Sequence, residues 1–170
     1  MGHVGAGALI SALASQSLRH LANINVGYND AIGDDAMAQI ITTLGSGRYA
    51  HLRSISAFDT GMGQLAGQAL VQVLRAEAWP DLEALGLLQN PDLGDVVGIG
   101  IAGAFAAGAG ARLDKLVVRD IGLTEVGARS LLEALRAGAC PILDVLLVDH
   151  WENVDWDLGN ADRIKRFKVF

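Results

Sequence analysis

The chain has 170 residues, enough for one domain with a substantial core, and 51 % of them are hydrophobic, which argues against disorder along its length. Its net charge of −6 argues against both a duplex nucleic-acid footprint and a broad contact with anionic membrane, so neither is an expected partner. Cys140 is the single cysteine, which rules out an intramolecular disulfide and a CxxC metal site and sets the expectation of an intracellular, cytoplasmic protein.

The first segment, "MGHVGAGALISAL" from Met1, reads as an apolar helix too short to span a bilayer and without the basic flank of a secretory signal. It is followed by "LANINVGYN" from Leu21, a strand-like segment with apolar residues at its first, fourth and sixth positions. A second helical segment, "IGDDAMAQIITTL", begins at Ile32, and its ninth and thirteenth residues form an apolar i, i+4 pair. The same two-part unit then recurs. Strand segments start at Leu52 ("LRSISAFDT"), Leu82 ("LEALGLLQN"), Leu113 ("LDKLVVRDI") and Leu143 ("LDVLLVDHW"), spaced by 31, 30, 31 and 30 residues from Leu21 onward. Helical segments start at Met62, Leu93 and Leu123, each matching the template that Met1 also fits. A last L-x-x-L-x-L pattern, "IKRFKV" from Ile164, reads as an abbreviated strand.

Five such strand segments in register with five matched helices resemble the leucine-rich repeat family in its long, ribonuclease-inhibitor-like form. The resemblance implies an α/β right-handed solenoid, with parallel strands on the concave face and helices on the convex face. It predicts one domain over residues 1–170, with a partial repeat at 1–20, repeats from 21, 52, 82, 113 and 143, and a terminal cap at 151–170 containing Trp151 and Trp156. The family pattern places Asn or Cys at the ninth strand position. Asn29 and Asn90 match, Thr60 is a partial substitute, and Ile121 and Trp151 depart, so the polar ladder is expected to be incomplete toward the carboxyl end. Glycines inside helical segments, such as Gly67, Gly98, Gly100 and Gly103, lower helix propensity by up to ~1 kcal/mol each and make sense where neighbouring helices approach closely.

On this pattern the third, fifth, seventh and eighth positions of each strand segment face solvent. Phe58, Leu88, Val117, Val145 and Leu147 are apolar at such positions, and contiguous exposed apolar area marks an interaction surface. Tyr28, Asp59, Gln89, Asp120 and His150 form a mixed polar column beside them, with Arg119 between, which suits a polar rim around an apolar centre. The predicted function is therefore non-catalytic recognition of another protein through the concave sheet and its edge, with no cofactor or metal. The absence of a strand before the first helix adds an expectation of self-association through that helix, or that the chain is a fragment of a longer solenoid or a subunit of a larger assembly.

The competing reading is a nucleotide-binding enzyme. "GIGIAG", Gly98–Gly103, satisfies G-x-G-x-x-G, with Asp120 following at a suitable distance. A dinucleotide loop needs its glycines at a strand-to-helix turn, whereas here they align with mid-helix residues of the other repeats. No H-E-x-x-H or G-x-S-x-G occurs. His150 with Asp149 and Glu152 is the one cluster resembling an acid–base site, and Cys140, just before Pro141, reads as a packed small residue.

Overall fold

The computed structural model describes residues 2–15, 18–149, 154 and 166–169. Alternation of inward apolar and outward polar residues gives six short strands: β1 (Asn23–Asn25), β2 (Ser54–Ser56), β3 (Ala84–Gly86), β4 (Lys115–Val117), β5 (Val145–Val148) and β6 (Arg166–Val169). Among the described residues one α-helix precedes each of the first five strands: α1 (His3–Ala14), α2 (Gly33–Leu44), α3 (Gln64–Arg75), α4 (Gly94–Ala106) and α5 (Glu125–Arg136). The chain is thus α/β, with one parallel sheet in the order β1 to β6, every strand pairing with its sequence neighbour. The register equates Ile24, Ile55, Leu85, Leu116, Leu146 and Phe167, the fourth residues of the repeated segments, the abbreviated last one included. Among the described residues, each α-helix packs, within the helix layer, against the α-helices before and after it in sequence.

The core is a set of rows. First-position Leu52, Leu82, Leu113 and Leu143 are buried, as are sixth-position Val26, Ala57, Leu87, Val118 and Val148. The helices close it with Ile40, Leu70, Ile101 and Leu131, and one turn later Leu44, Leu74, Phe105 and Leu135. Each row is completed by the next module rather than by its own.

The backbone follows the same rule. The carbonyls of Ala22, Arg53, Glu83 and Asp114 each accept two N–H groups from the following strand, at 2.7–3.1 Å. The Tyr49 hydroxyl donates to the Leu13 carbonyl at the end of α1, and the Trp79 indole N–H to the Leu44 carbonyl at the end of α2, so aromatic side chains satisfy helix-terminal carbonyls across modules. Helix spacing is set by missing side chains. A Cβ on Gly67 would lie 2.3 Å from Val97, and one on Gly98 2.3 Å from Leu123.

The 31/30 alternation has a structural meaning: the true period is two modules. Asp34 in α2 accepts N–H groups of Gly63, Leu65 and Ala66 at the start of α3. Asp95 in α4 accepts those of Thr124 and Gly127 at the start of α5, and the Thr124 hydroxyl as well. A carboxylate on one helix thus caps the next, stabilised by the positive end of that helix dipole. Burial pushes the Asp95 carboxyl up, but the bonds from Thr124 and Gly127 outweigh it and hold the group below the usual carboxylate range.

The polar ladder alternates in the same way. The buried Asn90 carboxamide accepts from the Thr60 and Met62 N–H groups at 3.1 and 3.0 Å, and donates to Ala57 and Leu87 carbonyls at 2.7 and 2.9 Å. Asn29 donates to Val26 and Gly27. Thr60, whose hydroxyl donates to the Ala57 carbonyl, and the buried Ile121 stand in the intervening modules, so the first full departure among the described residues is at Ile121. Trp151 and the rest of the predicted cap, except residues 154 and 166–169, lie outside the described residues.

Two substitutions test this scheme. Asn90→Leu keeps the branched shape but removes the bonds to the Thr60 and Met62 N–H groups and the Leu87 carbonyl, three buried backbone groups at about 1–3 kcal/mol each; urea denaturation is expected to show a loss of at least ~3 kcal/mol. Gly122 has φ +72°, and a Cβ there would sit 1.9 Å from the Pro91 carbonyl oxygen, whereas Gly47, φ +82°, has open space. Gly47→Ala is expected to cost about 1 kcal/mol, and Gly122→Ala several times more, read by the same titration.

Candidate functional site

The open face of the sheet is built from the odd strand positions. In the fifth-position row, Ser56, Gly86, Val117 and Leu147 stand side by side. Gly86 leaves a gap, and the Phe58 ring fills it: a Cβ on Gly86 would lie 2.3 Å from Phe58 Cε1. Tyr28 meets that ring edge-on, with centroids 6.4 Å apart and planes at 73°, an electrostatically favoured arrangement. Tyr28 itself is 70 % exposed. Phe58, Leu88, Val145 and Leu147 are half-buried.

Val117 departs from expectation. It is only 3 % exposed, because it is flanked by Gly86, whose space Phe58 occupies, and by Leu147. The apolar patch is therefore narrower than the sequence implied, and a shallow depression of about 120 Å³ between Phe58, Ser56, Gly86, Lys115 and Val117 marks its centre.

The eighth-position column is brought together as predicted, but for a reason the sequence reading did not supply. Tyr28, Asp59, Gln89 and Asp120 all have φ between 50° and 60°. Left-handed backbone costs a residue with a side chain about 1–2 kcal/mol. The strain is held by cross-module bonds: the N–H groups of Tyr28, Asp59 and Gln89 donate to Phe58, Leu88 and Arg119 carbonyls at 2.6–3.1 Å. At Asp120 the acceptor is instead the Asp149 carboxylate, at 2.9 Å. Arg119 pairs with Asp120 at 3.4 Å. His150 lies outside the described residues, as does Glu152, so the acid–base cluster is not described.

Asp59, Gln89, Asp120 and Asp149 border an open groove of about 610 Å³ with Pro91, Gly122 and Leu123. Burial pushes the Asp149 carboxyl above the usual range, with the Asp120 charge adding to the effect and the Asp120 N–H and Arg119 opposing it. Among the described residues no cluster of three His, Cys, Asp or Glu side chains has metal-binding geometry, and no helix is long and apolar enough to cross a membrane. Gly98–Gly103 lie wholly inside α4, with Gly98 and Gly100 buried against Leu123 and Val71, not at a strand-to-helix turn. Cys140 is buried as a small packed residue. On α1, the predicted self-association surface, Val4 is 90 % exposed.

Compared with models of known protein families and with curated proteins, the chain has no match.

Folding raises the Asp149 pKa, so the native chain holds this proton more tightly than the unfolded chain. Stability from this group therefore increases as pH falls through the native pKa toward the unfolded value, and the charged form costs stability above it. Asp149→Asn keeps an oxygen for the Asp120 N–H without the charge. In urea unfolding from about pH 7 to about pH 4, the unsubstituted chain is expected to gain stability relative to Asp149→Asn; parallel pH curves would contradict the assignment.

Proposed function

We propose that this chain is a leucine-rich-repeat solenoid of the ribonuclease-inhibitor-like form and a non-catalytic protein-recognition module. It binds another protein through its sheet face and the adjoining edge. The one-dimensional order of strands and helices supports the repeat assignment, and a wide helix layer against a narrow strand layer curves such a stack with the sheet inside.

The observation that carries the functional reading is the half-buried apolar strip Phe58, Leu88, Val145 and Leu147, rimmed by Tyr28, Asp59, Gln89 and Asp120. An apolar centre inside a polar rim is the anatomy of a recognition surface. Tyr28 and Phe58, large rings already packed against each other, are the residue types that dominate binding energy at such surfaces. The sheet backbone beneath them is rigid, so little ordering entropy opposes binding. The nucleotide reading has no comparable support, since the N–H groups of Gly98–Gly103 belong to a helix interior rather than to a phosphate-facing turn.

The test is Leu88→Glu. Its side chain is half-exposed, so circular dichroism is expected to be unchanged while capture of a binding protein from lysate of the native source is lost. Equal capture by the variant would remove the sheet face from consideration, and a thermal shift of several degrees with NAD or ATP would favour the competing class.

A further inference from the structure

We infer that the chain has a second interaction surface, on the edge where strands end and helices begin, and that it fits a basic amphipathic helix. This goes beyond the sheet-face reading and does not depend on it.

The first observation is a row of exposed apolar side chains. Leu65, Val96 and Val126 occupy the same position in the first turns of α3, α4 and α5 and are 53 %, 65 % and 59 % exposed. The core does not use them, and their recurrence in three adjacent helices makes one continuous stripe rather than scattered surface residues. Beside Val96 and Val97 the surface dips into a groove of about 270 Å³ between α3 and α4, lined also by Gln68, Val71, Gln72, Gly100 and, at its end, Arg75. At its floor Gly100 lets the Val71 side chain pack against α4; a Cβ there would lie 2.7 Å from Val71. An apolar side chain has a seat there.

The second observation is charge. The segments forming this edge, residues 27–35, 58–66, 88–97 and 119–127 together with Asp149, hold nine carboxylates and one cation, Arg119, which is paired with Asp120. The opposite edge, residues 44–54, 75–84, 106–115 and 136–145, is nearly balanced, with six cations against five carboxylates. There His51 and Arg112 both bridge to Asp81. Of the two edges, as formed by the described residues, the one that carries the apolar stripe therefore holds the acidic excess. Asp35 and Asp92 are exposed there, while Arg129 lies one turn beyond Val126 on α5 and Arg75, at the carboxyl end of α3, lines the α3–α4 groove.

Together these select the occupant. Packed helices lie about 8–10 Å apart, and residues seven apart on an α-helix are about 10.5 Å apart along its axis. A helix laid across α3, α4 and α5 thus presents one apolar side chain to each, while an extended strand, at about 3.3 Å per residue and alternating faces, matches this spacing poorly. Lys and Arg on its flanks meet the carboxylates and speed encounter. A second copy of this chain would bring acid against acid, and an anionic bilayer would be repelled.

The experiment uses the full chain and a fluorescein-labelled Lys/Leu peptide with leucines at i, i+3, i+4 and i+7, read by anisotropy. The paired substitution Val96→Lys and Val126→Lys is expected to weaken binding at least about tenfold. Glu133→Lys changes net charge by the same amount on the far part of α5 and is expected to leave affinity within about twofold. Hydrogen exchange is expected to show peptide-induced protection in residues 64–68, 94–99 and 125–129. Should the lysines unfold the chain, Val96→Ser with Val126→Ser carries the test, with at least about a threefold loss expected. No binding by the unsubstituted chain overturns the proposal, as does an equal loss with Glu133→Lys, an unchanged serine pair, or protection elsewhere. Sedimentation in which the lysine pair converts a dimer to a monomer also overturns it, by making a second copy the occupant.

Discussion

No module of this chain satisfies its own backbone or buries its own apolar face. The Asn90 carboxamide makes the point at one residue: it bonds to Leu87 in its own module and to Ala57, Thr60 and Met62 in the one before. Because a buried unpaired N–H or C=O costs about 1–3 kcal/mol, a module separated from its neighbour loses hydrogen bonds and hydrophobic contact together. Asp34 and Asp95 extend the same dependence to the helix layer, where a carboxylate in one helix supplies the cap of the next. Stability is then a chain of nearest-neighbour interfaces rather than one central core.

That constraint also shapes the surfaces. The left-handed turn after each strand is tolerable at Tyr28, Asp59, Gln89 and Asp120 only because the adjoining module holds each N–H in place. The turn projects these side chains at the strand ends, and the helices that follow begin beside them. The projecting polar side chains and the backbone strain therefore fall on the same edge, while Asn90 and Thr60 are the buried polar residues among an otherwise apolar set. The glycines serve packing in two ways. Gly67 and Gly98 let helices approach, and Gly86 and Gly100 leave spaces that neighbouring side chains fill, Phe58 at the first and Val71 at the second.

The fold was legible because the leucine spacing reports inward-facing positions directly. The first, fourth and sixth strand positions face the core and stay apolar, so L-x-x-L-x-L held its register through Leu21, Leu52, Leu82, Leu113 and Leu143, and Phe167 of the short "IKRFKV" pairs in frame with Leu146. The "GIGIAG" segment yielded to the same logic, since its alignment with mid-helix residues placed it in α4. Burial on the open face was less legible, because it depends on who stands next to whom across strands. Val117 reads as exposed from its own position and is covered only because a glycine and a phenylalanine are its neighbours. The 31/30 spacing was visible, but not its meaning, which lies in hydrogen bonds between modules. Leu65, Val96 and Val126 carried no signal alone, since an apolar residue in a helical first turn is as compatible with the core as with solvent until helix orientation is known.

The most direct measurement is native-state hydrogen exchange on the full chain. If neighbouring modules complete one another, protection peaks in β2 to β4 and α3 to α4, which have partners on both sides, and declines toward α1 and β1 in steps one module wide. Equal protection in all five helices, or greatest protection in α1, would contradict a stability made of nearest-neighbour interfaces.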